Sequence, residues 1–134
     1  MNAIDTNVLF YSRDPRDPRK QQIAVRLVGT LSNGALLWQV ACEYLSASRK
    51  LEPFGYSPAH AVAEILNLRR SWATVLPDWA ALDRAERLRQ SYSLSFWDAV
   101  LIAACLEGGV HKLYSEDFDA YSRIDTLELV NPFR

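Results

Sequence analysis

Short apolar runs alternate with helix-length amphipathic segments along the chain, and this alternation constrains the fold more than any other feature. Ala35-Leu36-Leu37-Trp38 is an unbroken apolar run of strand length, the pattern of a strand buried on both faces. Met1–Ile4, Ala73–Leu76, Lys112–Tyr114 and Leu127–Val130 are the other strand candidates. The segments between them carry helical periodicity with readable ends. Asp5-Thr6-Asn7 are capping residues before Val8-Leu9-Phe10-Tyr11. Asp17-Pro18 starts a helix through Ile23, Leu27, Val28 and Leu31, and Asn33-Gly34 ends it. Gln39 to Leu51 is helical in pattern, and Ser57-Pro58 opens a helix carrying Val62, Ile65 and Leu66. Asp78 caps a helix reaching about Ser91, and Ser95 caps another that Gly108-Gly109 closes. Strands and helices in this order predict an α/β fold with a mainly parallel sheet and helices on both faces. A length of 134 residues predicts one domain, residues 1–134.

Composition narrows the function classes. With 49% apolar residues the chain builds a core, which excludes intrinsic disorder. No apolar run approaches the ~18 residues of a membrane helix, and Met1–Asp5 lacks the basic and apolar segments of a secretory signal, so a cytoplasmic protein with no membrane partner is expected. Cys42 and Cys105 both sit in apolar helical patterns and read as small core residues of a reducing compartment. The four tryptophans read mainly as core, and His60 and His111 as structural or surface residues. The net charge of −1 conceals its makeup: with four carboxylates gathered in one site, the rest of the body carries +3.

Ligands of such folds gather at the carboxyl ends of the strands. Asp5 directly follows the first strand candidate, Glu43 lies in the helix after the second, Asp98 in the first turn of the helix before the fourth, and Asp117 just beyond the fourth. Each has a plain structural alternative. Asp5 caps a helix, Ser95-Phe96-Trp97-Asp98 spells a capping box, and Asp117 sits in a polar turn. Glu43 is harder to dismiss, because Val40 and Ala47 place it on the inward side of its helix, where an unpaired carboxylate is costly. Four convergent carboxylates repel unless they bind cations or hold protons, and oxygen ligands at this density suit Mg²⁺ or Mn²⁺.

The sequence resembles the PIN-domain ribonucleases and, among them, the VapC toxins of prokaryotic toxin–antitoxin pairs. The resemblance rests on Ile4-Asp5-Thr6-Asn7-Val8-Leu9, on Glu43, on Phe96-Trp97-Asp98-Ala99 and on Leu113-Tyr114-Ser115-Glu116-Asp117-Phe118, in the family's order and spacing. It implies a PIN-like three-layer α/β/α fold with a five-stranded mainly parallel sheet and a metal-dependent RNA-cleaving site. Residue by residue it implies Asp5, Glu43, Asp98 and Asp117 as catalytic acids and metal ligands, with Thr6 and Ser115 in support. Glu116 and Asp119 flank Asp117, and Glu116 is the alternative fourth acid. The resemblance further implies Mg²⁺ or Mn²⁺ as cofactor, RNA as substrate, a VapB-type antitoxin as partner and a homodimer.

Other readings differ at named residues. A PIN nuclease of RNA processing would act without an antitoxin, and a binding module on this fold would be expected to have lost one of the four acids. A phosphatase of the haloacid-dehalogenase type needs a second Asp two residues after the nucleophile, where this chain has Asn7. Arg13, Arg16, Arg19 and Lys20 form a basic loop that could hold phosphates, although Asp14 and Asp17 interleave with it.

Overall fold

In a computed structural model describing residues 1–134, the first strand, β1 (Asn2–Ile4), lies inside a six-stranded sheet. It is followed by α1 (Thr6–Tyr11), α2 (Pro18–Thr30) and β2 (Gly34–Leu37). Next come α3 (Trp38–Ala47), a 3₁₀ segment (Ser48–Phe54), α4 (Pro58–Ser71) and β3 (Ala73–Val75). The chain continues through α5 (Trp79–Ser91), α6 (Phe96–Glu107), β4 (Lys112–Tyr114), β5 (Arg123–Ile124) and β6 (Leu127–Val130). The spatial order is β3-β2-β1-β4-β6-β5, parallel except for the β5–β6 pair. The sheet therefore has one strand more than the five expected. The addition is a two-residue antiparallel edge, Arg123–Ile124, too short to carry a hydrophobic period.

The local signals act as the sequence predicts. The side chains of Asp17, Ser57, Asp78 and Ser95 accept bonds from the backbone N–H groups of Lys20, His60, Ala81 and Asp98. All four residues of β2 are buried. Gly34 has a packing reason for lacking a side chain: a Cβ there would lie 2.6 Å from the Trp72 ring, which covers the start of the strand.

Winding runs from β1 outward to β2 and β3, then crosses back to β4 on the other side of β1. Right-handed crossovers place α1–α4 on one face and α5–α6 on the other. The packing agrees, with α1 against α2 and α3, α3 against α4, and α5 against α6. The core comprises both interlayer spaces, from Val8, Leu9, Val40 and Tyr44 on one side to Ala99, Ile102 and Cys105 on the other. The winding reverses between β1 and β4, so the crevice at their carboxyl ends is the switch point where open α/β sheets bind ligands.

Three expectations about burial are corrected. Cys105 is buried, but Cys42 is exposed, because α3 turns Val40 and Tyr44 to the core and Cys42 away from it. Trp72 is core, whereas Trp38, Trp79 and Trp97 are 55%, 77% and 65% exposed. Glu43 is also exposed and not on the inward side of α3, and its carboxylate has partners.

Candidate active site

The crevice is built from the first residues beyond β1 and β4. Asp5 leaves β1 with extended backbone angles, and its N–H donates to the Tyr114 carbonyl at 2.9 Å, so the two strand ends are locked side by side. The residue is 5% exposed. One carboxylate oxygen accepts from the Thr6 N–H at 2.7 Å and the other from Ser115 Oγ at 2.7 Å. Burial raises the Asp5 carboxyl to about 6; the Ser115 and Thr6 bonds pull it down, and the charges of Asp117 and Glu43 push it up.

Asn7, in the first turn of α1, reaches across to the β4 side. Its Nδ2 donates to Ser115 Oγ at 3.2 Å and to an Asp117 oxygen at 3.1 Å. The Asp117 N–H donates to Ser115 Oγ at 3.1 Å. Ser115 thus accepts from two donors while donating to Asp5. Asp117 sits at the rim, and its carboxyl is raised first by partial desolvation. The Asn7 bond opposes that shift, and the charges of Asp98, Glu116 and Glu43 add to it. On the α3 side, Glu43 accepts from Thr6 Oγ1 at 2.8 Å and from Gln39 Nε2 at 2.7 Å. Asp98 enters from the start of α6. The Ser95 cap uses the Asp98 N–H at 3.2 Å, but the carboxylate makes no return bond, so only half of the anticipated capping box exists.

Asp5, Thr6, Glu43, Ser115 and Asp117 are thus joined through hydrogen bonds, with Asn7 and Gln39 as cross-links, and Asp98 is coupled through its field. Glu116 is turned away. It accepts from Tyr11 Oη at 2.7 Å and from Lys20 Nζ at 2.9 Å. Asp119 pairs with Arg134 at 2.8 Å and accepts from Asn131. None of Asp5, Glu43, Asp98 and Asp117 has a cationic partner among the chain's ion pairs. The basic loop is committed elsewhere, with Arg13 on Glu64, Arg16 bidentate on Asp14, Arg19 on the Phe133 carbonyl and Lys20 on Glu116. His60 completes a capping box with Ser57, and His111 Nδ1 contacts the N-terminal amine at 2.8 Å, both outside the crevice.

The donor set is all oxygen, which suits hard divalent cations. No three His, Cys, Asp or Glu side chains converge into a complete ion cage. The acids instead lie at different depths, Asp5 buried and Glu43 and Asp117 exposed, an open arrangement compatible with Mg²⁺, which keeps several waters and takes one or two carboxylates together with substrate phosphates. Two carboxyls held above their ordinary range and four acids without counter-charges fit such a cation.

Sequence reasoning passed over Asn7, Gln39, Trp38 and Trp97. Asn7 read as a capping residue and as a departure from the phosphatase pattern. The two tryptophans border the strand-to-helix junction after β2 and the acid Asp98, a proximity that offered a signal.

The PIN domain family model matches residues 3–127. The chain belongs to the PIN domain family. No curated protein matches its sequence. Among solved structures it is similar to a toxin–antitoxin complex from Klebsiella pneumoniae, with 18% identity, 98% of each chain covered and a TM-score of 0.69. The Mycobacterium tuberculosis toxin VapC20, which cleaves the sarcin–ricin loop, is 17% identical over 96% of this chain and 99% of that one, with a TM-score of 0.70. FitAcB from Neisseria gonorrhoeae is 14% identical over 99% of both chains, with a TM-score of 0.64. At these identities the likeness is one of fold, and this PIN chain shares its mixed α/β architecture with them along nearly their whole length.

Proposed function

We propose that this PIN domain is a divalent-metal-dependent endoribonuclease of the VapC toxin type, held in check by a VapB-type antitoxin. The observation that carries the reading is the set of four acids, Asp5, Glu43, Asp98 and Asp117, at the sheet's switch point with no cation of the chain among them. Asp5, Asp98 and Asp117 would hold Mg²⁺ or Mn²⁺, with Glu43 completing the acidic set. A divalent cation held there would lower the pKa of an attacking water and neutralise charge developing on the phosphate. Ser115 and the Thr6 backbone fix both oxygens of Asp5, Asn7 orients Asp117, and Thr6 with Gln39 holds Glu43 at the opposite wall, so the acids keep their places despite mutual repulsion. The likeness to toxin–antitoxin structures along almost the full chain supports an antitoxin partner, and a homodimeric assembly acting in the cytoplasm is part of the same proposal.

The test is cleavage of RNA by the purified chain. EDTA abolishes it, Mg²⁺ or Mn²⁺ restores it, and the products carry no 2′,3′-cyclic phosphate, because the attacking oxygen comes from water. Asp5→Asn reduces cleavage by more than the roughly 10–100-fold that loss of an outer hydrogen-bond partner costs a metal site. Induced expression arrests growth, and Asp5→Asn or Asp98→Asn relieves the arrest at equal protein level. Full cleavage after complete chelation overturns the reading.

A further inference from the structure

Beside the acids lies a cleft of about 430 Å³ lined by Trp38, Gln39, Cys42, Glu43, Ser46 and Trp97. Its size lies within the range of small-ligand sites, roughly 300–1,000 Å³. Its two aromatic walls come from different layers. Trp38 is the first residue of α3, one position beyond β2, and Trp97 lies in the first turn of α6, one position before Asp98. Both are more than half exposed, although the chain buries other large side chains completely. Trp97 is braced edge-on by Phe96, with ring centroids 5.1 Å apart and planes at 79°.

The cleft and the candidate active site share a wall. Gln39 Nε2 donates both to Glu43 Oε1 at 2.7 Å and to the Trp97 carbonyl at 3.3 Å, tying the α3 wall to the α6 wall. Gln39 Oε1 is shielded from solvent and has no hydrogen-bond partner, the one such side-chain atom in the protein. An unmet buried acceptor is costly, and this junction is the one place where the fold leaves such a side-chain atom.

We infer that the Trp38–Trp97 cleft is a nucleobase subsite, which takes one unpaired base of single-stranded RNA next to the phosphate facing the acids. This inference rests on the RNA-cleaving reading and names the substrate form for the same site. Two exposed indoles on an almost wholly apolar cleft suit stacking of a flat base of any identity, with Ser46 and Glu43 at its border. Position favours a base over an apolar peptide side chain: Glu43 lines the cleft and bonds Thr6 beside Asp5, so a nucleotide whose phosphate faces the acids sets its base here. A base in a duplex cannot enter, so the subsite selects loops, bulges and unpaired ends.

The test uses the full chain carrying Asp5→Asn, which binds without cleaving, and a twelve-residue single-stranded RNA containing 2-aminopurine. Binding quenches the 2-aminopurine fluorescence by stacking. Base–aromatic stacking is worth about 1–3 kcal/mol, so Trp97→Ala or Trp38→Ala weakens RNA binding roughly 5- to 150-fold and removes the quench. Trp97→Phe restores most of both. Annealing the complementary strand weakens binding by the unsubstituted-tryptophan protein but not by Trp97→Ala. In the Asp5-containing chain, the tryptophan variants raise KM with kcat retained. Unchanged RNA affinity and KM in both alanine variants overturns the subsite while leaving the nuclease intact. Unchanged RNA affinity accompanied by loss of self-association, or by loss of antitoxin binding, assigns the cleft to a protein partner and overturns it equally. No RNA cleavage by the unsubstituted chain under any divalent cation overturns the nuclease reading itself.

Discussion

Asp5 is where burial and function pull against each other most directly. Its carboxyl titrates at about 6 in the fold against 3.8 ordinarily. Two units correspond to about 3 kcal/mol of opposition to the charged form. Because the folded-state value is raised, its contribution to stability is fully present below about pH 4 and is lost as the pH rises through 6. With EDTA present, the stability difference between Asp5→Asn and the parent should therefore be small at pH 4 and favour the variant increasingly up to pH 7, followed by thermal or urea unfolding. A parent that gains on the variant over this interval would show that the charged form is the favoured one. Mn²⁺ should raise the parent's melting temperature more than the variant's, since a ligand stabilises only the state that binds it. The same scale separates the three neighbouring acids. Glu116 is consumed by Lys20 and Tyr11, and Asp119 by Arg134 and Asn131, whereas the Asp117 carboxylate is held only by the Asn7 amide. Asp117→Asn is expected to weaken the Mn²⁺ dependence of cleavage most and Asp119→Asn to leave it near that of the parent. Glu116→Gln should lower stability without altering the Mn²⁺ midpoint; a shift in that midpoint larger than that of Asp117→Asn would reassign the fourth acid.

Among the elements, α6 shows how a capping signal and a functional signal can occupy the same four residues. The Ser95 hydroxyl accepts from the Asp98 N–H, a bond that any residue but proline at 98 preserves, while the Asp98 carboxylate returns none. Ser95→Ala should therefore cost about 1 kcal/mol of stability, and Asp98→Ala only the roughly 0.3–1 kcal/mol of a first-turn acid on the helix dipole. Chemical unfolding of the two variants checks the order, and a larger loss for Asp98→Ala would mean that the carboxylate does cap the helix. The starts of α2, α4, α5 and α6 were legible in the sequence because a cap is a contact within one turn. Strand β2 was legible because a parallel strand under two helical layers is an uninterrupted apolar run, and β1, β3, β4 and β6 were legible as short runs between helix signals, whereas β5 was not. What escaped depends on contacts between elements. Trp38 and Trp97 look like core residues until β2 ends at Leu37 and α6 begins at Phe96, leaving both rings at the crevice rim. Glu43 was marked as unusual for the wrong reason: it is exposed, and its partners Thr6 and Gln39 could be named only once α1 and α3 were packed together. Nothing near Asp117 in the sequence announces that Lys20, 96 residues away along the chain, occupies Glu116.

At the scale of the whole molecule the question is how a chain of net charge −1 holds a polyanion. Of its 15 cationic side chains, Arg13, Arg16, Lys20, Arg84, Arg89, Lys112 and Arg134 are in ion pairs, and Arg19 and Arg123 donate to carbonyls. Arg69 and Arg70 close α4, which leads into the amino end of β3 and so lies at the sheet edge away from the crevice. Lys50 lines a second cleft with Thr6, Asn7 and Asp117, and neither it nor Arg49 has an ion-pair partner. Arg26 and Arg87 are also outside the ion pairs, but Lys50 is the unpaired cation that shares a cleft with Asp117, so the side that faces substrate offers two or three phosphate-binding cations and not a broad basic surface. For single strands each neutralised phosphate contributes about −0.7 to the slope of log K against log salt. Binding of the twelve-residue RNA by Asp5→Asn at fixed Mg²⁺, measured between 50 and 200 mM KCl, should thus show a slope of about −2 or shallower. Lys50→Ala should make that slope shallower by about 0.7 and weaken binding to all sequences alike. A slope steeper than about −4 would mean that the paired arginines release their carboxylates to meet RNA, and that affinity comes from the whole face and not from the acids and the cleft beside them.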